Sequence, residues 1–333
     1  MAEEPLVSII IPHLQGKETL VRCLNAVQRT AYPNRQVILV DNATTDGSLE
    51  GIEQAFPWLQ VVHNLRNLGY AGGCNSALPV AEGKYVLFLN DDTDFEPGWL
   101  APLVAACEAD ERIAACQPKI VQQDDPAMFD YAGAAGGLLD VFGYPFARGR
   151  VFFALERDAQ QYDDGGDIFW ASGTATLVRR SALQEVGAFD EDFFAHMEEI
   201  DLDWRLHLAG YRVVAVPQSV VRHRAGSTLP ADSPRKILLN HRNSLLMLLK
   251  NYSVPSLLRF LPGRLLLEWV TVVYSLFRLD FVRARSVLLA LIQVAAALPR
   301  TLRKRSEVRK LRRVPDREIL EKMYRGSIVF QYF

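Results

Sequence analysis

Residues Tyr85-Val86-Leu87-Phe88-Leu89 form an unbroken apolar run that stops at Asn90-Asp91-Asp92. Five apolar residues without alternation describe a strand buried on both faces, as in a parallel sheet covered by helices. Open sheets of that kind bind ligands beyond the carboxyl ends of their strands. Two adjacent acids at such an end repel each other unless a cation stands between them and a ligand. Mg²⁺ and similar hard ions are held by one or two carboxylates together with phosphate oxygens. The stretch therefore predicts a metal-diphosphate site; a solvated turn before Pro97 is the plainer alternative.

The flanking sequence supplies the rest of such a sheet. Val7-Ser8-Ile9-Ile10-Ile11-Pro12 predicts a strand closed by proline, and Lys17 to Arg29 carries helical spacing through Leu20, Leu24 and Val27. Strands are expected at 36–42 and 59–62, and helices after Asp46-Gly47-Ser48, with Asp46 or Ser48 as cap, and over 75–82. Strands alternating with helices imply βαβ units and an α/β fold. At the second strand end, Asp41 and Asn42 could bond a nucleotide base or ribose, or simply form an Asx-turn. After the third strand comes Asn67-Leu68-Gly69-Tyr70-Ala71-Gly72-Gly73. There, Gly72 and Gly73 would let backbone approach a diphosphate ahead of a helix N-terminus, or would form an ordinary glycine turn. No GxGxxG follows the first strand, so a dinucleotide-binding reading loses its main support.

Further along, Met197, Ile200, Trp204 and Leu208 form the core-facing stripe of a helix whose first turn carries Glu198, Glu199 and Asp201. One or two acids there would offset the helix macrodipole; three exceed that need. A carboxylate beside a metal-diphosphate could accept a proton from an incoming hydroxyl. His223 follows an apolar run and is either a satisfied structural histidine or a metal ligand, with Arg222 and Arg224 beside it to offset phosphate charge. A formal net charge of −2 argues against a nucleic-acid binder. Cys23, Cys74, Cys107 and Cys116 show no CxxC pairing and are expected as buried free thiols.

Taken in order, these elements resemble a family 2 glycosyltransferase with the GT-A fold, of the bacterial rhamnosyltransferase-like branch. The resemblance covers roughly residues 5–230 and includes Ala171-Ser172-Gly173-Thr174, Arg179-Arg180 and Gly187-Ala188-Phe189-Asp190-Glu191. It implies an inverting transferase that moves a sugar from dTDP-rhamnose or a UDP-sugar to a glycan or lipid-linked hydroxyl in cell-surface polysaccharide synthesis. Asn90-Asp91-Asp92 stands at the DxD position, with asparagine replacing the first acid. Asp92 and His223 would ligate Mg²⁺ or Mn²⁺, while Asn90 and Asp91 would contact the nucleotide-sugar. Glu199 falls at the general-base position, Asp41 at the base-reading position, and Pro12 walls the nucleotide pocket. Two alternatives are a catalytically inactive sugar-nucleotide-binding protein and a nucleotidyltransferase. Retention of Asp92, Glu199 and His223 argues against the first. The lack of a Gly-rich, Lys-bearing loop near the start argues against the second.

Composition shifts after Pro230, dividing the chain into a catalytic domain over 1–230 and a helical, amphipathic, basic region over 231–333. A helix is expected over 236–250. The stretch 257–298 is apolar but interrupted by arginines, and its longest uncharged run, 286–299, is too short to span a bilayer. With the basic segment 300–313, it suits an anionic membrane surface, or the contact face of a homodimer. The acidic N-terminus leads straight into a strand, with no signal peptide. The expected location is the cytoplasm, peripheral on the inner face of the membrane.

Overall fold

The computed structural model describes residues 4–224 and 233–332, so the expected boundary at residue 230 lies outside the described residues. Four parallel strands lie side by side in the order β3-β2-β1-β4: β1 (Val7–His13), β2 (Arg35–Asp41), β3 (Leu59–His63) and β4 (Tyr85–Leu89). The apolar run of β4 is buried on both faces, as its sequence requires. Tyr85, Leu87 and Leu89 join one core with Ile9, Ile11 and Leu39 under α1 (Lys17–Arg29). Val86 and Phe88 join a second core with Ile10, Ile38 and Val40, on the opposite face of the sheet.

Short elements complete this half: α2 (Ile52–Ala55), α3 (Gly69–Ala77), β5 (Thr93–Phe95), α4 (Leu100–Ala109) and β6 (Ile113–Gln122). A small antiparallel sheet follows, made of β7 (Gly137–Leu139), β8 (Pro145–Ala147), β9 (Arg150–Val151) and β10 (Ala154–Leu155). The chain then returns through β11 (Gly166–Asp167) and β12 (Ala175–Arg179). Beyond them come α5 (Arg180–Val186), α6 (Glu198–Leu208) and the long β13 (Arg212–His223). The main sheet continues past β4 as β12-β6-β13-β11, with β12 antiparallel to β4 and β5 antiparallel to β13.

All four cysteines are buried and free. The expected stripe on α6 is buried, but so are Asp201, Asp203, Arg205 and His207 on its other sides. Asp203, Arg205 and His207 bond the segments 169–171 and 186–188, while on another side a third core joins Trp204 and Ile200 to Leu246, Met247, Tyr252 and Val308 of the C-terminal helices. These helices are α7 (Pro234–Asn251), α8 (Val254–Phe277), α9 (Phe281–Leu311), α10 (Asp316–Glu321) and α11 (Ile328–Tyr332).

One expectation is corrected here. Judged by its longest uncharged run, this region is too short to span a bilayer, yet α8 and α9 are continuous over 24 and 31 residues. Both are long and apolar enough, by length and composition, to cross one. Single arginines interrupt an apolar run without interrupting a helix.

Trp204 packs edge-on against both Phe169 and Tyr252 and so ties α6 to the C-terminal helices. Trp204→Ala should lower the unfolding free energy by about 3–5 kcal/mol, as read by urea denaturation.

Candidate active site

The register of β13 on β5 pairs His223 with Thr93 and Arg222 with Asp94, bringing the distant histidine to the end of β4. His223 Nε2 lies 3.1 Å from Asp92 Oδ1, and Nδ1 lies 2.9 Å from Asp130 Oδ1. Asp92 is only 4% exposed and Asp130 is fully buried. Burial alone would lower the imidazole pKa, but the Asp130 and Asp92 carboxylates overcome it and carry it up to about 10.

Once the ring gives up its Nε2 proton, Asp92 Oδ1 and His223 Nε2 would offer one oxygen and one nitrogen donor to a divalent cation. A ligating imidazole usually has its second nitrogen held by a carboxylate, as Asp130 holds this one. Among the described residues no cluster of three or more His, Cys, Asp or Glu is arranged to hold a metal. Asp92 and His223 would thus be two protein ligands, with remaining oxygens drawn from a diphosphate, as is usual for Mg²⁺. Asp130 was missed from sequence, where it stands unflagged in 124–131. Arg222, expected to offset phosphate charge, is instead engaged by Glu96 at 2.7 Å and Asp94 at 3.8 Å.

A second buried histidine, also missed, pins Asp91. His13 Nδ1 lies 2.6 Å from Asp91 Oδ2, and Nε2 lies 2.7 Å from Ser48 Oγ. Ser48 in turn donates to Asp46. Burial pushes the Asp91 carboxyl up from its ordinary range, partly countered by His13. The usable signal was a histidine directly after Pro12 at a strand end. Asp46 and Ser48 therefore do not cap a helix as expected; α2 begins after Gly51 with no side-chain cap.

Asp41 ends β2 and accepts from the Thr44 amide three residues on at 2.8 Å, while its other oxygen lies 3.0 Å from His63 Nδ1. Asn42, expected among the nucleotide contacts, is buried, and its amide is occupied within the protein. It donates to Gly69 O at 3.0 Å and accepts from the Leu68 amide at 3.0 Å. Asn67 caps the same turn by accepting from the Gly69 amide at 2.8 Å. The glycines need a further correction. Helix α3 starts at Gly69, earlier than 75, so Gly72 and Gly73 are helical rather than in a loop open to a diphosphate. A Cβ on Gly73 would lie 3.2 Å from Asn42 Nδ2 and 3.6 Å from Pro12 Cβ, so this glycine lets α3 press on the strand ends.

A separate wall, the first turn of α6, carries the acids. Helix α6 opens with Glu198 and Glu199, preceded by Phe194, His196 and Met197 at φ of 62°, 70° and 74°. Non-glycine residues held there cost about 1–3 kcal/mol each. Burial pushes the Glu199 carboxyl up to about 7. Burial and the neighbouring Glu199 charge push Glu198 well above the usual carboxylate range. Each keeps one buried oxygen without a hydrogen-bond partner among the described residues.

One loop joins this wall to the end of β4. Ala171 N donates to Asp203 of α6 at 2.6 Å, and Asn90 N donates to Thr174 O at 2.9 Å. The structure thus brings Asp92 and His223 into direct contact and ties the helix of Glu199 to the same strand end.

A mixed α/β sheet with paired acids beyond a central strand, flanked by helices, defines the class: this is a GT-A glycosyltransferase fold. A solved complex of GalNAc-T7 with UDP, GalNAc and Mn²⁺ superposes with a TM-score of 0.60 at 18% identity, covering 74% of this chain and 48% of that one. The mannosyltransferase PcManGT from Pyrobaculum calidifontis, with GDP-Man and Mn²⁺, gives 0.54 at 17% identity, covering 96% and 84%. By sequence, the chain belongs to glycosyl transferase family 2, whose family model matches residues 8–187. It is 28% identical over 259 residues to the N-acetylglucosaminyl-diphospho-decaprenol L-rhamnosyltransferase of Mycobacterium tuberculosis, covering 73% of this chain and 81% of the relative. The O-antigen biosynthesis protein RfbC of Myxococcus xanthus is 28% identical over 239 residues, which are 69% of this chain and 18% of RfbC. The family match includes Pro12, Asp41 and Asp92 but ends before Glu199 and His223.

The raised Glu199 carboxyl has a consequence for stability. A half-buried acid with a folded pKa near 7 is neutral in both states below about pH 4.5, keeps its proton in the folded state between 4.5 and 7, and ionises at a cost above 7. Glu199→Gln should match the wild type in stability near pH 4.5 and exceed it by about 3 kcal/mol at pH 8, as measured by urea melts.

Proposed function

We propose that the protein is an inverting, metal-dependent transferase that moves a sugar from a nucleoside-diphosphate sugar to a glycan or lipid-linked acceptor in cell-surface polysaccharide assembly. The observation that carries this is the seating of His223 between Asp92 and Asp130 at the end of β4. Asp92 and His223 would hold Mg²⁺ or Mn²⁺, whose charge, when bound, stabilises the departing diphosphate. Asp91, fixed by His13, and Asn90 face the donor from the same turn. Asp41 and Pro12 line the nucleotide side. Glu199, with a carboxyl poised near 7, takes the proton of the acceptor hydroxyl as that oxygen attacks the anomeric carbon from the face opposite the diphosphate. The mycobacterial relative's name supports a rhamnose donor, with dTDP-rhamnose the first to test, and a polyprenyl-diphosphate-linked acceptor; UDP-sugars come second.

A panel of nucleotide-sugars, scored by Mn²⁺-dependent thermal shift and then by turnover, tests the reading. Glu199→Gln should reduce turnover at least 10³-fold with donor affinity within about twofold. Asp92→Ala should abolish the Mn²⁺-dependence of nucleotide binding in calorimetry. Full turnover in Glu199→Gln would remove Glu199 from the reaction.

The C-terminal helices favour docking on the inner membrane face. Helix α8 has inverted polarity: Ser256, Arg264, Glu268 and Ser275 are buried while Leu258, Leu266, Trp269 and Val273 are exposed. At the α8–α9 turn, Phe277 is 85% exposed, beside exposed Leu279 and Phe281. Within 254–306 the acids are Glu268 and Asp280, the first bonded to Arg264 and the second to Arg283, whereas Arg259, Arg278 and Arg285 are exposed. An apolar face with a cationic rim matches anionic lipid. The double variant Trp269→Glu/Phe277→Glu should lower binding to phosphatidylglycerol vesicles at least tenfold in co-sedimentation, while nucleotide binding stays unchanged.

A further inference from the structure

After the short 3₁₀ turn Glu191–Phe193 the chain runs to Met197 without regular structure, yet each carbonyl oxygen from Asp192 to Met197 has a donor. Arg242 Nη2 reaches Asp192 O at 2.6 Å, and Ala71 N reaches Phe194 O at 3.2 Å. Asp201 N reaches Met197 O at 2.9 Å. The carbonyls of Phe193, Ala195 and His196 lie 2.9, 2.9 and 2.8 Å from Asn243 Nδ2; Phe193 O also accepts from Ala195 N at 2.7 Å, which leaves the two amide N–H groups for Ala195 and His196. Asn243 is fully buried in α7. Its Oδ1 accepts from Arg242 Nε at 2.9 Å, which fixes the end of the amide that faces the loop.

The side-chain chemistry is specific. An amide offers two N–H groups and one acceptor in a plane without charge. Aspartate would turn a negative oxygen toward three carbonyls, and a longer glutamine would need space that a fully buried position lacks. The backbone so held includes Phe194, His196 and Met197 in the left-handed region, which such residues occupy only when their surroundings over-determine it. Glu198 and Glu199 follow at once.

We infer that Asn243 is a positioning residue for sugar transfer: from the C-terminal region it holds the 193–197 turn in its strained form and thereby aims the Glu199 carboxylate. The inference rests on the proposed role of Glu199. It gives α7 a part in the transfer step itself, separate from any contact with lipid.

The test compares wild type with Asn243→Ala and, should that fail to fold, Asn243→Asp. In the alanine variant, kcat should fall about 10²-fold, the effect expected of a misplaced catalytic group. Donor KM and Mn²⁺-nucleotide affinity should stay within about twofold, because the Asp92–His223 corner is untouched. The acid limb of the kcat–pH profile should move below its wild-type position as the turn opens to water. Hydrogen–deuterium exchange should accelerate at least tenfold in peptides over 193–202. Adding His196→Gly, which accepts a positive φ without strain, should restore at least tenfold of the lost kcat. Unchanged kcat with unchanged exchange over 193–202 would overturn the inference. So would a loss of kcat that only tracks lost nucleotide binding and does not respond to the glycine. A wild type that transfers from no nucleotide-sugar would sink the transferase reading alone, since the exchange measurements judge the clamp without turnover.

Discussion

The site depends on one buried contact, the His223 imidazole held between Asp92 and Asp130. A carboxylate removed from water is tolerated only when a partner compensates it, and here a single ring serves two acids. The contact also fixes geometry. Asp92 closes the loop after β4, Asp130 follows β6, and His223 ends β13, so three separate segments must meet for both acids to share the ring. The pairing of β13 with β5 is the backbone expression of that requirement. It leaves a histidine and an acid side by side at the strand ends where a diphosphate would lie.

The acidic wall at the start of α6 is assembled on different terms. Its acids face little compensation, and burial keeps the Glu199 carboxyl near neutrality rather than ionised. Such a group is costly for folding and useful for moving a proton, a conflict common at reactive sites. The C-terminal helices brace the same helix α6 further along and the loop before it. Lys250 and Asn251 bind Asp201 at 2.8 Å each, and Lys250 also meets Asp190 at 2.6 Å. Trp204 shares a core with Tyr252 and Met247. The helices that turn an apolar face outward thus also brace the acidic wall on their inner side.

Much of this was legible in the chain. The apolar run into Asn90-Asp91-Asp92, the strand ends at Pro12 and Asp41, and the acid-rich start of α6 each carry a local signal, and their order points to the family. The family model covers 8–187, and the GT-A fold accompanies it. What escaped were residues whose importance comes from partners distant in sequence. His13, Asp130 and Asn243 look ordinary where they stand; each matters because packing delivers an acid or a row of carbonyls to it. Asn42 and Gly73 carried a signal that pointed elsewhere. Polar and glycine residues near strand ends suggest ligand contacts, yet here they lock a turn and let a helix approach. The arginines of α8 and α9 misled in a similar way, since they break an apolar run without breaking a helix.

The sequence by itself determined the four parallel strands, the burial of β4 on both faces and the acids at their carboxyl edge, because periodicity and strand-end chemistry are properties of neighbouring residues. Only the tertiary structure decided that Asp130 would stand behind His223, that His13 would fix Asp91, and that an asparagine from the C-terminal region would hold the turn before Glu199. Those relations depend on desolvation and on hydrogen bonds between distant segments, which exist only once the chain has closed around them.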